Sequence, residues 1–162
     1  MLLIPLLAIA ASSATAARRD CSQFAGDRWD QRLSFAACLR TARPARVTDP
    51  EQLRGYVAHL AASVDQPVEI YRDAIARGPL EVRLLAAYQL GETYLDLVVR
   101  ARSSVPPELI RDLDPLLVGF ERQAAAGFTS AWAIGNEIPS GVPADEVVRN
   151  IIADTRTALE TL

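Results

Sequence analysis

The chain has 162 residues, half of them hydrophobic, with ten aromatic side chains and a net charge of −3. That is enough for one domain with its own core, and neither half of the chain carries a basic stripe, so nucleic acid is not an expected partner. All 17 basic residues are Arg, which excludes every lysine-dependent mechanism, Schiff bases and phosphate-loop lysines included.

Ala and Leu are abundant and β-branched alternation is scarce, so the expected fold is all-α, an array of about six helices. Charge is uneven along the chain: residues 18–107 carry 13 Arg against 11 acids, and residues 108–162 carry 4 against 9. Residues 1–17, "MLLIPLLAIAASSATAA", read as a signal peptide ahead of a single α-helical domain, 18–162. Their apolar stretch is shorter than the about 20 residues of a spanning helix, and Ala14-Thr15-Ala16 fits an A-x-A cleavage site. The competing reading is a membrane-anchoring or buried segment. Once the segment is cleaved, no membrane span is expected. In an oxidising compartment the two cysteines, Cys21 and Cys38, are expected to pair. The bridge would staple the mature N-terminus to the first helix.

The first helix is expected from Asp27 to Ala42, ending before Arg43-Pro44. "VTDPEQL" restarts the chain, with Asp49 as N-cap, Pro50 at the first helical position and Glu51 in the first turn. Leu53, Tyr56, Val57, Leu60, Ala61 and Val64 then follow at helical spacing. In "VDQPVEIYRDAIARG" the residues Val68, Tyr71, Ala74 and Ile75 share one face, and Gly78 supplies the stop. The longest apolar helix should run from Leu80 to Arg102. Its polar residues Gln89, Glu92, Thr93, Asp96 and Arg100 form one stripe. Leu84, Tyr88, Gly91, Leu95 and Val98 line one flank, and Leu90, Tyr94 and Leu97 the other. So wide an apolar arc predicts neighbours on several sides.

A further helix beginning at Pro107 meets Pro115, which either kinks or breaks it or, with Asp114, caps a fresh one. Leu117, Phe120, Ala124, Phe128, Ala131 and Ile134 continue inward at near-heptad steps. "GNEIPSGVPADE" reads as a connector, exposed from Asn136 to Val142. The last helix is expected from about Pro143, with Val148, Ile151, Ile152, Thr155 and Leu159 inward.

Tyr71, Ala74 and Pro79 reproduce the aromatic, small and proline spacing of a tetratricopeptide unit, and Leu90-Gly91 with Tyr94 reproduces the signature that follows it. Ala124, Phe128 and Ala131 repeat the small–aromatic–small pattern. Residues 67–139 therefore resemble tetratricopeptide repeats and their longer-helixed relatives in bacterial cell-envelope proteins. The resemblance implies antiparallel helix hairpins stacked in a right-handed manner, with protein binding on a concave face. The chain departs from the pattern at Pro67, where a small residue is usual, at Ala87, where a tryptophan is usual, and at Pro139, which comes late. A compact irregular helical bundle is the alternative.

Candidate chemistry is sparse. Asp27 and Asp30 lie too close along one helix to flank a glycosidic bond from opposite sides, and Asp27 reads as an N-cap. His59 lacks a second ligand at helical spacing, and Glu108, Asp112 and Asp114 lack the pattern of a calcium loop. Trp29 and Trp132 read as packing residues, with groove aromatics as the alternative. No metal or other cofactor is expected. Glu92 and Asp96, four apart, repel one another, which hints at an Arg from another helix or a binding groove; the plainer reading is a solvated stripe with Arg100 one turn beyond Asp96. The expected function is a periplasmic or secreted, non-enzymatic binding or assembly module of the cell envelope. It would grip a protein or peptide partner through Gln89, Glu92, Tyr94, Asp96 and Arg100. A small-ligand-binding or catalytic bundle gated by residues 136–145 is the competing class.

Overall fold

The computed structural model of the chain describes residues 21–40, 47–138 and 146–161. The expected signal peptide 1–17, the expected end of the first helix at Ala42, the connector beyond Ile138 and the expected helix start at Pro143 lie outside these residues.

The described residues form six α-helices and no strand. They are α1 (Trp29–Leu39), α2 (Leu53–Ser63), α3 (Asp65–Arg77), α4 (Leu80–Ser104), α5 (Ile110–Gly135) and α6 (Glu146–Thr161). Single 3-10 turns at Pro50–Gln52 and Pro107–Leu109 lead into α2 and α5.

Local chemistry explains most helix ends. The Asp49 carboxylate accepts from the Glu51 N–H at 2.9 Å with Pro50 behind it, so the expected cap forms on the 3-10 turn that precedes α2. At the start of α1 the expectation fails. Asp27 lies before the helix, Arg28 occupies the N-cap without a side-chain bond, and Asp30 is bridged to Arg28 at 3.1 Å. Asp27 and Asp30 therefore share no helix face. Gly78 ends α3 in an extended conformation (φ −75°, ψ 161°), not a left-handed one. Space explains the glycine there, because a Cβ would sit 2.6 Å from the Ala74 carbonyl oxygen and 2.7 Å from Val82 Cγ1. Pro115 neither breaks nor recaps its helix, which runs through it. Pro115 is exposed, so the carbonyl deprived of its donor faces water, and Asp114 is bonded to Arg102 at 3.0 Å instead of capping.

Three apolar clusters show how the helices lie. One joins Leu53, Tyr56 and Leu60 of α2 and Val68 of α3 to Tyr94, Leu97 and Ala101 of α4 and to Leu113, Leu117 and Phe128 of α5. A second joins Leu84 and Ala87 of α4 to Ala131 and Ile134 of α5 and to Val148 and Ile151 of α6. The third sets Leu33 and Ala36 of α1 on Tyr71 and Ala74 of α3 and on Ala86 of α4. Val68 thus meets the C-terminal half of α4 while Ile75 meets Val82 and Leu85, so α3 and α4 form an antiparallel hairpin. The same reasoning makes α4–α5 and α5–α6 antiparallel. Most of the wide apolar arc of α4 is covered, since α4 packs against each of the other five helices, while Val99 stays exposed.

The closest approach is between α4 and α5. A Cβ on Gly127 would lie 2.5 Å from the Gly91 nitrogen and 2.7 Å from its Cα, so the two helix backbones touch. The Phe128 ring closes the crossing, leaving 2.8 Å between its Cδ1 and a Cβ placed on Gly91.

Candidate functional site

The period of the α-helix gathers Gln89, Glu92, Asp96 and Arg100 along one stripe of α4. Two carboxylates one turn apart repel by a few tenths of a kcal/mol, and a cation from another element relieves them. Arg40, the residue that closes α1, places Nη2 3.0 Å from Asp96 Oδ2 and 3.8 Å from Glu92 Oε2. Its Nη1 donates to the Gln89 carbonyl at 3.5 Å. Arg100 answers from α4: its Nη1 donates to the Arg40 carbonyl at 2.5 Å, and its Nη2 lies 3.5 Å from Asp96. A basic side chain on the last carbonyls of a helix is a favourable cap. The end of α1 and the stripe thus hold each other reciprocally.

A disulfide closes the N-terminal segment onto α1, and an ion pair ties α1 to α3. Cys21 and Cys38 form a disulfide (S–S 2.02 Å, Cα–Cα 5.7 Å), and Cys38 precedes Arg40 by only two residues. On the α3 side, Arg32 donates to Asp73 at 2.7 Å while its guanidinium lies 4.6 Å from the centre of the Trp29 ring. Asp73 also pairs with Arg77, and the two guanidiniums, Arg32 first, hold its carboxyl below the usual value.

Beneath the ion pairs lies a polar layer that is not fully bonded. Thr93 Oγ1 donates to the Gln89 carbonyl at 2.6 Å. Tyr71 is 0 % exposed, and its hydroxyl, with Arg40 and Thr93 as neighbours, has no partner in bonding geometry. Gln89 Oε1 is buried without a partner too. A buried polar group left in this state costs about 1–3 kcal/mol. Burial pushes the Tyr71 phenol up, against the pull of Arg40.

The outer edge of the stripe stays open. The Glu92 and Asp96 side chains are 40 % and 44 % exposed, against 16 % for Arg40. Beside them Tyr88 donates to Glu92 Oε1 at 3.1 Å. Its phenol is pushed up to about 12, chiefly by burial and then by the adjacent Glu92. Leu85, Tyr88 and Leu95 are half-buried along this strip and Val99 is 58 % exposed. The helices α1 and α6 both pack on α4, and Asp154 of α6 adds its negative field at Tyr88. The two carboxylates are balanced by the two guanidiniums of Arg40 and Arg100, so the strip is a closed ion-pair cluster with a half-exposed outer edge.

Of the five expected binding residues, Gln89, Glu92, Asp96 and Arg100 come together. Tyr94 does not. It faces the core and stacks on Phe120 with ring centres 6.2 Å apart. Arg40 was foreseeable only as an Arg from some other helix, because it lies 56 residues from Asp96 along the chain. Tyr88 was placed on an apolar flank, and only its hydroxyl distinguished it. The remaining candidates lie apart from the strip: His59 is exposed, Trp132 is 37 % exposed, and Trp29 packs between α1 and α3. Among the described residues, no group of three or more His, Cys, Asp and Glu is placed to hold a metal ion, and no helix is long and apolar enough to cross a membrane.

No protein-family model matches the chain, and neither the curated proteins nor the solved structures contain a significant match.

Proposed function

We propose that the chain is an exported, non-enzymatic binding module of the cell envelope, periplasmic or secreted, that receives a peptide or helix of a partner protein along the open strip of α4. The observation that carries this reading is the half-exposed Glu92–Asp96 pair, set beside the apolar strip of Leu95 and Val99 between α1 and α6. Charged and apolar groups alternating along one helix face are what a helix-in-groove contact uses. The Cys21–Cys38 disulfide supports an oxidising compartment. The proposed stacking is tetratricopeptide-like and right-handed; the close contact of Gly91 with Gly127, and the packing of Tyr71 and Ala74 on Ala86, support its closely packed hairpins.

The test compares capture from an envelope extract by the native protein and by a Glu92→Ala/Asp96→Ala variant. The reading expects a partner that the native protein retains and the variant loses, with the helical circular-dichroism signal unchanged. Capture that survives the double substitution refutes it.

A further inference from the structure

We propose that the N-terminal segment is a redox-sensitive strap: reduction of Cys21–Cys38 undocks α1 from α3 and α4 while α2 to α6 stay folded. This inference is independent of the reading of α4 as a docking face, because it concerns how α1 is held and not what binds beside it.

Three observations carry it. First, the core closes without α1. Among the described residues, the two apolar clusters that join α2 to α6 contain no α1 residue. The helix enters only the third, where Leu33 and Ala36 meet Tyr71, Ala74 and Ala86. Second, α1 is weakly held there. Its 11 residues fall short of the about 12–15 that a helix needs to persist alone. Its polar ties include Arg32 to Asp73 on α3, and Arg40 to Asp96 and Glu92 on α4. Part-exposed ion pairs of this kind add little. Docking also seals in the Tyr71 hydroxyl, which has no partner in bonding geometry, and an undocked α1 lets water reach it. Third, both ends of the bridge lie in the same segment, 17 residues apart. The bridge therefore does not fasten α1 to the bundle. It restricts the freedom of the undocked segment, and in the chain-entropy model a loop of this size favours the docked form about a hundredfold. A short helix with so small a footprint depends on that factor.

The chemistry is thiol–disulfide exchange with a dithiol. One thiolate of the reductant attacks Cys38 Sγ, because Cys38 is half-buried whereas Cys21 is 1 % exposed. Cys21 leaves as a thiolate and takes up a proton. The reductant's second thiolate then displaces Cys38 from the mixed disulfide, and Cys38 is protonated in turn. Two electrons pass to the protein, and the reductant is oxidised to its disulfide. Once α1 has left, Tyr71, Ala74 and Ala86 are uncovered, and Asp73, Glu92 and Asp96 lose the arginines of α1. Reoxidation closes the loop and returns α1 to its place.

Trp29 is the reporter, since it lies in α1 with the Arg32 guanidinium 4.6 Å from the centre of its ring. A Trp132→Phe protein, in which Trp29 is the sole tryptophan, is titrated with dithiothreitol and compared with Cys21→Ser/Cys38→Ser in the same background. Reduction is expected to shift the Trp29 emission to the red and to remove no more helical circular dichroism than the 11 residues of α1 supply. Hydrogen exchange of the α1 amides should rise about a hundredfold, while amides of α5 around Gly127 remain protected. The serine pair should match the reduced protein, and removal of the reductant under air should restore the oxidised emission. Emission and exchange in α1 that ignore reduction overturn the switch, and so does a shift that the serine pair fails to reproduce. Loss of protection around Gly127 together with α1 overturns the strap as a separate unit. Emission that does not recover on reoxidation overturns its reversibility.

Discussion

Gly127→Ala turns the crossing of α4 and α5 into a measurement. In a helix interior, Ala is favoured over Gly by about 1 kcal/mol, and Gly119 in the same helix shows that gain uncomplicated, because a Cβ there meets nothing within 4 Å. At Gly127 the Cβ would arrive 2.5 Å from the Gly91 nitrogen and 2.7 Å from the Gly91 Cα. Backbone cannot step aside as a flexible side chain can, so the two helices must separate by roughly an ångström, at an overpacking cost of about 1–3 kcal/mol net. Gly119→Ala should therefore raise the urea midpoint and Gly127→Ala lower it, the two variants differing by about 2–4 kcal/mol. For a chain of this size each kcal/mol shifts the melting temperature by about 2–4 °C, so thermal melts resolve the pair as well. A Gly127→Ala protein as stable as Gly119→Ala would show that the backbones are not in contact, and the antiparallel crossing that orients the strip would fall with it.

Reduction of Cys21–Cys38, or a double Cys→Ser substitution, should lower the free energy of unfolding by about 3 kcal/mol in the chain-entropy model. Equal urea midpoints with and without reductant would deny the bridge any stabilising role. The Tyr88 phenol, raised to about 12 in the fold, stabilises the protein fully below its unfolded value near 10. That contribution is lost as pH rises from there through the folded value. Tyr88→Phe should therefore flatten the alkaline fall in stability, and tyrosinate absorbance should lose its latest-titrating component. An unchanged titration would place Tyr88 in water, away from Glu92.

The parts of the fold written in local sequence were the ones that could be read. Leu53, Tyr56, Leu60 and Val64 announced the buried face of α2 at steps of three and four, and all four are buried. Val148, Ile151 and Thr155 did the same for α6. The errors sit where a local signal competes with tertiary context. Asp27 looked like a cap, but the helix starts two residues later. Pro115 looked like a break, yet it lies on the solvent side of a helix held by Leu113 and Leu117 on its inner face. At the candidate site, the like charges of Glu92 and Asp96 betrayed the need for a cation, since that need is an i,i+4 property. Its source was hidden, because which Arg reaches them depends on how α1 docks on α3 and α4. Tyr94 failed to join the stripe for a simple angular reason: two residues from Glu92 is about half a turn.

The packing of α4 against each of the other five helices has a mechanical consequence. Its 25 residues form a single rod about 37 Å long, and removing any segment of it strips apolar cover from helices on both sides. No nick within it should leave a fragment that persists alone, so protease should digest the chain in one step, without a stable halfway product. A tug on Asp96 would be felt at both termini of the described bundle, because one stiff axle joins them.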